Sequence, residues 1–384
     1  MPFLHGVEVV EIDNGSRPIR TVRSSVIGLV GTAPDADAVK FPLNTPVLIA
    51  GNRTEAAGLD TVGNGDGTLP EAIDGIFDQV GAMVVVVRVD VGVDDSATQS
   101  NVIGAASGEG LKALLDAENE LGVEPRLIVA PGFSSVQAVA TEIDVIANRL
   151  RGMGIIEGPS TDDAAANTYA GNFGSKRLYM VDPDVRVWDT AGSAEVIEPN
   201  SARVAGMFAR VDNERGFWWS PSNQEIRGIL GTERPVSFKL GDANSRANLL
   251  NEQNIATIIR QNGHRLWGNR TLSSDPKWAF VNVVRTADLI IDSIQRAHLW
   301  AVDRNITRTY LEDVVEGVNN YLRHLTQIGA ILGGTAWADA ELNTPTSLAA
   351  GKVYIDFDFT PPTPAEHITF RAHLVDDYFA EVIS

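Results

Sequence analysis

No cysteine occurs in the 384 residues. Disulfides, thiolate-held metals and cysteine nucleophiles are thereby excluded, and the fold has to stand on packing. Histidine is scarce as well. The six histidines are His5, His264, His298, His324, His367 and His373, and no two have the i, i+4 spacing that places a metal pair on one helix face. His367 and His373 fall on one face of an extended segment and read as solvated. Positive charge is also short, with 31 Lys and Arg against 50 Asp and Glu and a net charge of −19. That is the wrong sign for a protein that wraps duplex DNA, so no direct nucleic-acid partner is expected. No apolar run reaches the roughly 18 residues of a spanning helix. The opening MPFLHGVEVVEIDNG has an early acidic pair and no apolar stretch of signal length, so a soluble chain made in a cytoplasm, without membrane insertion, is expected.

Recognisable active-site motifs are missing too. Neither a GxxxxGK[ST] nor a GxGxxG loop follows a strand pattern. Ala130-Pro131-Gly132-Phe133-Ser134 sits at a strand-to-helix turn, and Ser134 with Gln137 reads as a capping box. A nucleophile elbow there lacks its second glycine. The segment Asp60 to Glu71 superficially fits a calcium loop, but it has no acidic third residue and carries Pro70 before the last ligand, so it reads as a surface turn. No catalytic residue, cofactor or metal is expected, which makes the chain a non-enzyme.

What is present is ordinary globular material, 44% hydrophobic and 21% charged. Its length exceeds what one core usually fills, so two bodies are expected. From residue 23 to about 240 strands alternate with helices, an α/β arrangement. The predicted strands are Val26 to Gly31, Val47 to Ala50, Met83 to Val89, Arg126 to Ala130 and Arg177 to Val181. The predicted helices are Leu69 to Val80, Val102 to Leu121, Ser134 to Arg151 and Thr161 to Phe173. Runs such as Met83-Val84-Val85-Val86-Val87 suit strands buried on both faces.

Residues 241–375 read as an α+β body. Gly263 and Gly268 bracket a segment with Arg265, Trp267 and, just beyond, Arg270; guanidiniums beside aromatics read as a structural motif built on stacking and carboxylate pairing. From Val283 a helical stripe runs through Ala287, Ile290, Ile291 and Ile294, leaving Arg285, Asp288, Asp292 and Arg296 off it. Thr309 to Glu312 reads as a capping box opening a second helix. Val353, Ile355, Phe357 and Phe359 alternate with polar residues, as do Ile368, Phe370, Ala372 and Leu374 beyond a Pro-rich break, which predicts a hairpin with a long loop. Phe217-Trp218-Trp219 reads as core or as an interface anchor.

The two ends are apolar. Residues 1–22 contain Val7, Val9 and Ile12 among acidic residues, and residues 376–384 carry Tyr378, Phe379, Val382 and Ile383 to the last position. Sticky terminal strands suit pairing with neighbouring copies.

The strings GHRLWGNRTL (263–272), NFGSKRLYMVDP (172–183), GFWWSPSN (216–223) and MPFLHGVEV closely resemble contractile tail sheath proteins of myoviruses and R-type pyocins. The resemblance spans essentially the whole chain. It implies a subunit that polymerises helically around a tail tube and contracts from a metastable extended state. It further implies an inner domain with a small mixed sheet completed by strands from neighbouring subunits. The donated strands lie near Val7, Val9 and Ile12 and near Tyr378, Phe379 and Val382. The receiving edges lie at Val353, Ile355 and Phe357 and at Ile368 and Phe370. A tube-attaching helix is implied too, with Arg323 and His324 as its exposed candidates. The partners implied are copies of itself, a tail tube protein, and baseplate and tail terminator proteins. The place implied is the virion tail or a bacteriocin particle assembled in a bacterial cytoplasm. Competing readings are a nucleotide- or sugar-phosphate-using α/β enzyme and a tube or baseplate protein.

Overall fold

The computed structural model of the chain describes residues 18–106, 108–190 and 192–382. In chain order its strands are β1 (Ile27–Thr32), β2 (Pro46–Ala50), β3 (Met83–Val89), β4 (Leu127–Val129), β5 (Met153–Glu157), β6 (Leu178–Val181), β7 (Val185–Asp189), β8 (Ala194–Glu198), β9 (Gly231–Thr232), β10 (Thr257–Arg260), β11 (His264–Trp267), β12 (Gly334–Ala338) and β13 (Ile355–Phe359). The helices are α1 (Arg53–Ala56), α2 (Leu69–Gln79), α3 (Asp95–Ile103), α4 (Ala117–Leu121), α5 (Gln137–Arg149), α6 (Asp163–Ala170), α7 (Asn200–Arg215), α8 (Arg246–Glu252), α9 (Val281–Ala297), α10 (Arg308–Gln327) and α11 (Pro345–Ala349). Val7, Val9 and Ile12 lie outside the described residues.

The expected strands between residues 26 and 181 all form, and they join one six-stranded sheet in the order β2-β3-β1-β4-β5-β6. Every pairing in it is parallel except that of β2 with β3. Leu29, Val84, Val86 and Val129 pack toward α2 and α7, whereas Val30, Val85, Val87 and Ile128 pack toward α5 and a 3-10 segment at Gly110–Asp116. Burial on both faces is why the β3 run is apolar without alternation. Strand β5 was not legible because Gly154 interrupts it and Glu157 ends it. The glycine is required there, since a Cβ at residue 154 would lie 2.5 Å from Ile143.

Three helix expectations change. The single helix expected over Val102 to Leu121 is broken after α3, because Gly104, Gly108 and Gly110 take positive φ of 81°, 82° and 51°. The capping box at Ser134 does not form. Helix α5 begins at Gln137 with Val136 as its N-cap, and the Ser134 hydroxyl serves Glu157 instead. The box at Thr309 is replaced by Thr307, whose side chain accepts from the Tyr310 N–H at 3.1 Å.

The α/β core does not stop near residue 240. Leu250, Ile255 and Leu272 join one face's core, and Ala256, Ile258 and Leu266 of the β10–β11 hairpin join the other's. Gly263 (φ 100°) turns that hairpin and Gly268 (φ 138°) closes it against Ala256. Helix α9 then bridges two cores. Its Val281 and Val284 finish the α/β core, while Leu289 and Ile290 open a third core with Val318, Tyr321, Leu322 and Leu325 of α10, Ala336 of β12 and Phe217.

The C-terminal hairpin differs from expectation. Strand β13 pairs antiparallel with β12, from Gly334 opposite Phe359 to Ala338 opposite Ile355. The 368–374 run forms no strand, and Ile368 and Phe370 are exposed. Strand β12 follows α10 directly and sits closer along the fold than a segment thrown outward by Pro361, Pro362 and Pro364. Its Gly334 admits β13 at a distance where any Cβ would meet the Asp358 carbonyl at 2.6 Å.

Candidate assembly interface

Both ends of the described chain leave from the third core. On the N-terminal side Thr21 shares a hydrogen bond with the Tyr321 hydroxyl (2.8 Å), the Val22 N–H donates to Ser293 Oγ (3.0 Å), and Arg285 donates to the Ser24 carbonyl. Ile19 and Val22 are half-buried against the same core. Residues 18–24 are therefore pinned across α9 and α10.

On the C-terminal side the chain leaves β13 and runs without strand or helix to a 3-10 turn at Asp377–Val382. Ile368, Phe370, Leu374, Tyr378 and Phe379 lie along it with 66%, 90%, 101%, 72% and 70% of their surface exposed. Tyr378, Phe379 and Val382 are thus in a 3-10 turn in the single chain and not in the extended strand the sequence suggested. A row of large apolar side chains this exposed has the composition of an interaction surface.

Among the described residues, the two-stranded β12–β13 sheet has one blocked edge and one open edge. Asn319 of α10 donates to the Ala336 carbonyl (2.9 Å) and accepts from the Ala336 N–H (2.8 Å), so that residue's main-chain groups point away from β13. Ala336 and Phe357 stand opposite one another. In an antiparallel pair both members then turn their main-chain groups outward, and Phe357 presents its N–H and C=O along the free edge of β13. Ile355 and Phe357 therefore lie on the open edge, Val353 just precedes it, and Phe357 and Phe359 stack at 6.0 Å against the third core.

Arg270 is the link between the motif around Trp267 and the C-terminal segment. It makes a bidentate ion pair with Glu366 (2.7 and 2.5 Å) and lies over the Phe280 ring at 5.6 Å. Asn282 donates to the Pro362 carbonyl at 3.1 Å. These two contacts fix the direction in which residues 361–366 leave the molecule. Arg265 does not find a carboxylate; it donates to the Gln261 and Asn223 carbonyls. Trp267 meets Phe238 edge to face at 4.9 Å.

Comparison with known proteins decides the family. The chain matches the phage tail sheath protein central domain over residues 104–272, the phage tail sheath C-terminal domain over 273–374, and the tail sheath protein Gp18 domain III N-terminal region over 24–89. It is 50% identical to a prophage major tail sheath protein of Pseudomonas aeruginosa, covering 100% of this chain and 99% of the relative. The chain belongs to the phage tail sheath family. The tail sheath protein of Escherichia phage P2 is 38% identical over 100% of this chain and 98% of its own. The fold of this sheath chain is also that of the contracted sheath of PVC, an extracellular contractile injection system, with a TM-score of 0.72 at 20% identity over 98% of this chain and 99% of that one. The contracted helical sheath of the anti-feeding prophage gives a TM-score of 0.70 at 22% identity, covering 96% and 99%.

Several groups in the sheath chain escaped the sequence. Of the charged positions of α9, Arg285, Asp288 and Asp292 are buried and Arg296 is exposed. Arg177 pairs with Asp288, Arg126 with Asp292 and with Glu124 (2.6 Å), Arg285 with Asp212 (2.5 and 2.9 Å), and Arg296 with Glu118, Glu124 and Asp292. Burial pushes the Asp288 carboxyl up, and Arg177 opposes it. At the carboxyl end of β5 the fully buried Glu157 accepts from Ser134 Oγ (2.8 Å), Ser201 Oγ and the Gly132 N–H (3.2 Å). A protein carboxylate thus occupies the place at the end of a parallel sheet where α/β enzymes hold anionic ligands. On α10, Arg323 and His324 are exposed as expected, and Arg323 pairs with Glu316 at 2.6 Å. Phe217 is buried while Trp219 is 47% exposed under Arg215, so that run serves the core at one end and the surface at the other.

Proposed function

We propose that this chain is the repeating subunit of a contractile tail sheath in which each copy is completed by strands from its neighbours. The observation that carries the reading is the shared origin of both terminal segments at the third core, next to the open edge of β13. A neighbour's terminal segment adding there satisfies the outward main-chain groups of Phe357 and covers Ile355. Val7, Val9 and Ile12 on one arm, and Tyr378, Phe379 and Val382 on the other, are the donated residues, and the C-terminal turn extends on docking. Ile368 and Phe370 belong to the departing arm in this reading, and the receiving edge is that of β13.

Two bodies follow. The outer one, set at 23–240 by the sequence pattern, takes in residues 241–272 because their side chains complete the α/β core. The inner one is built on α9, α10 and β12–β13, and presents α10, with Arg323 and His324, to a tail tube. Strand joints of main-chain hydrogen bonds tolerate rotation between bodies, so copies stay linked while the helical lattice changes. Head-to-tail joints that do not close on themselves give an open helix. A lattice held extended by tube and baseplate contacts is kinetically stable, and its release does mechanical work without a nucleotide. The role is structural and not enzymatic, in the tail of a phage or phage-like particle assembled in the bacterial cytoplasm, with tube, baseplate and terminator proteins as partners.

Negative-stain imaging of the purified chain and of a variant lacking residues 376–384 tests this. The full chain is expected to form long striated tubes, and the variant to stay folded by circular dichroism but monomeric. Unaltered tubes from the truncated chain would sink the strand-exchange reading.

A further inference from the structure

Beyond the strand joints, we infer a second contact between copies of this chain, in which the basic and apolar face of the β7–β8 hairpin docks on the acidic loops at the carboxyl ends of β1 and β3 of another copy. This rests on the proposed polymer and adds to it a surface that strand exchange does not use.

The first surface lies on the three-stranded sheet β8-β7-β9. Arg186 stands opposite Ile197 and Trp188 opposite Glu195, so these four share one face of the hairpin. Trp188 is 56% exposed and Ile197 46%. Strand β8 pairs only with β7 among the described residues and leaves its outer edge open. On the neighbouring β10–β11 hairpin Arg260 stands opposite His264, and Arg260 and Arg186 both help to hold the His264 pKa down, behind the effect of burial and against Glu225. Arg186 pairs with Glu195 at 2.8 Å, and Arg260 makes no ion pair among the described residues. On a chain of net charge −19 this puts two arginines, one of them without an ion pair among the described residues, near an exposed tryptophan.

The second surface has the opposite sign. Asp35, Asp37, Asp90, Asp94 and Asp95 lie in or just past the loops that follow β1 and β3, with Lys40 paired to Asp37 at 3.6 Å, and Asp60 and Asp66 lie in the loop that leads into α2. Among them Val39, Val62, Val91 and Val93 stand 91%, 67%, 50% and 98% exposed. The loop after β1 and the loop before α2 are tied together, since the Thr61 N–H donates to the Asp35 carbonyl and the Asn64 side-chain amide to Asp35 Oδ2. One surface is Arg-rich with an aromatic anchor and the other Asp-rich with valines. They lie on different elements of one chain, which is the condition for a heterologous contact that propagates through a polymer.

The absence of cysteine gives a clean test. Two single variants, Trp188→Cys and Val93→Cys, are mixed with equal amounts of each, assembled into tubes and treated with a short bis-maleimide. The expected result is a covalent dimer that depends on both cysteines and on assembly. In parallel, Arg186→Glu with Arg260→Glu on one chain, and Asp94→Lys with Asp95→Lys on another, are each expected to lower tube yield at least tenfold, and their mixture to restore it. If neither doubly substituted chain forms tubes less well than the natural chain, or if mixing restores nothing and no dimer appears in tubes, the contact is overturned. Failure of the natural chain to form tubes would instead strike at the polymer reading itself.

Discussion

At the scale of single residues, stability in this chain is concentrated in buried charge. Asp288 and Arg177 are both almost fully enclosed, and removing one partner strands the other in a low-dielectric interior. Asp288→Ala is expected to cost about 3–5 kcal/mol, read as a fall in the thermal unfolding midpoint. The sequence assigned Asp288 and Asp292 to the polar face of a helix, and polar they are. Their burial was illegible because the arginines that satisfy them, Arg126 and Arg177, come from strand-flanking positions more than a hundred residues away. Carboxyls at the end of the parallel sheet set the pH response. Burial, with Glu198 and Glu157 nearby, pushes Glu71 from 4.5 up to about 7, and burial with Glu157 nearby pushes Asp184 up to about 8. A carboxyl raised on folding contributes fully below its unfolded pKa and loses that contribution as the pH climbs through the folded value. Stability is therefore expected to decline between pH 4.5 and 8, and Glu71→Gln to remove roughly 1–3 kcal/mol of that slope after allowing for partial solvation. Chemical denaturation at several pH values checks both.

At the scale of elements, helix ends and strand edges carry the argument. Thr307 caps α10, and Thr307→Ala is expected to cost about 1 kcal/mol, while Thr309→Ala changes little; urea midpoints separate them. The two candidates are two residues apart and chemically alike, so only the observed main-chain geometry selects between them. The β12–β13 pairing shows a similar limit. Alternation runs through 353–359, the cleanest in the chain, and again through 368–374, yet one run pairs and the other is exposed. Alternation records which side chains share a face and says nothing of which strand lies alongside. Gly334-Thr335-Ala336-Trp337-Ala338 carries almost no strand signature, and it is the Asn319 side chain and the Gly334 close approach that place it.

At the scale of the whole molecule, α9 makes two bodies behave as one. It closes the α/β core at Val281 and Val284, opens the third core at Leu289 and Ile290, and staples the two through its ion pairs. The exposed C-terminal segment past Glu366 lies outside these cores, so a protease should find it first in free subunits and lose it on assembly. Trypsin is expected to cut after the exposed Arg371 in the free chain, and tubes to protect that bond; mass spectrometry of timed digests reads the difference. Cleavage at equal rates in both forms would contradict the covering of the C-terminal arm.

The sequence alone determined that the chain has no thiol chemistry, carries a strong negative charge, builds a parallel α/β layer from apolar runs, and carries apolar residues near both ends. Those are local or compositional properties, written in contiguous residues. Its family was also legible, because contiguous strings such as GHRLWGNRTL carry the resemblance without any knowledge of the fold. Tertiary structure alone decided which carboxylates are buried, which strand meets β13, where Arg270 anchors the departing chain, and which surface faces of one sign stand clear of the other. Each of these depends on residues far apart in sequence meeting in space, and the energy that settles them is the desolvation of groups whose partners no local pattern names.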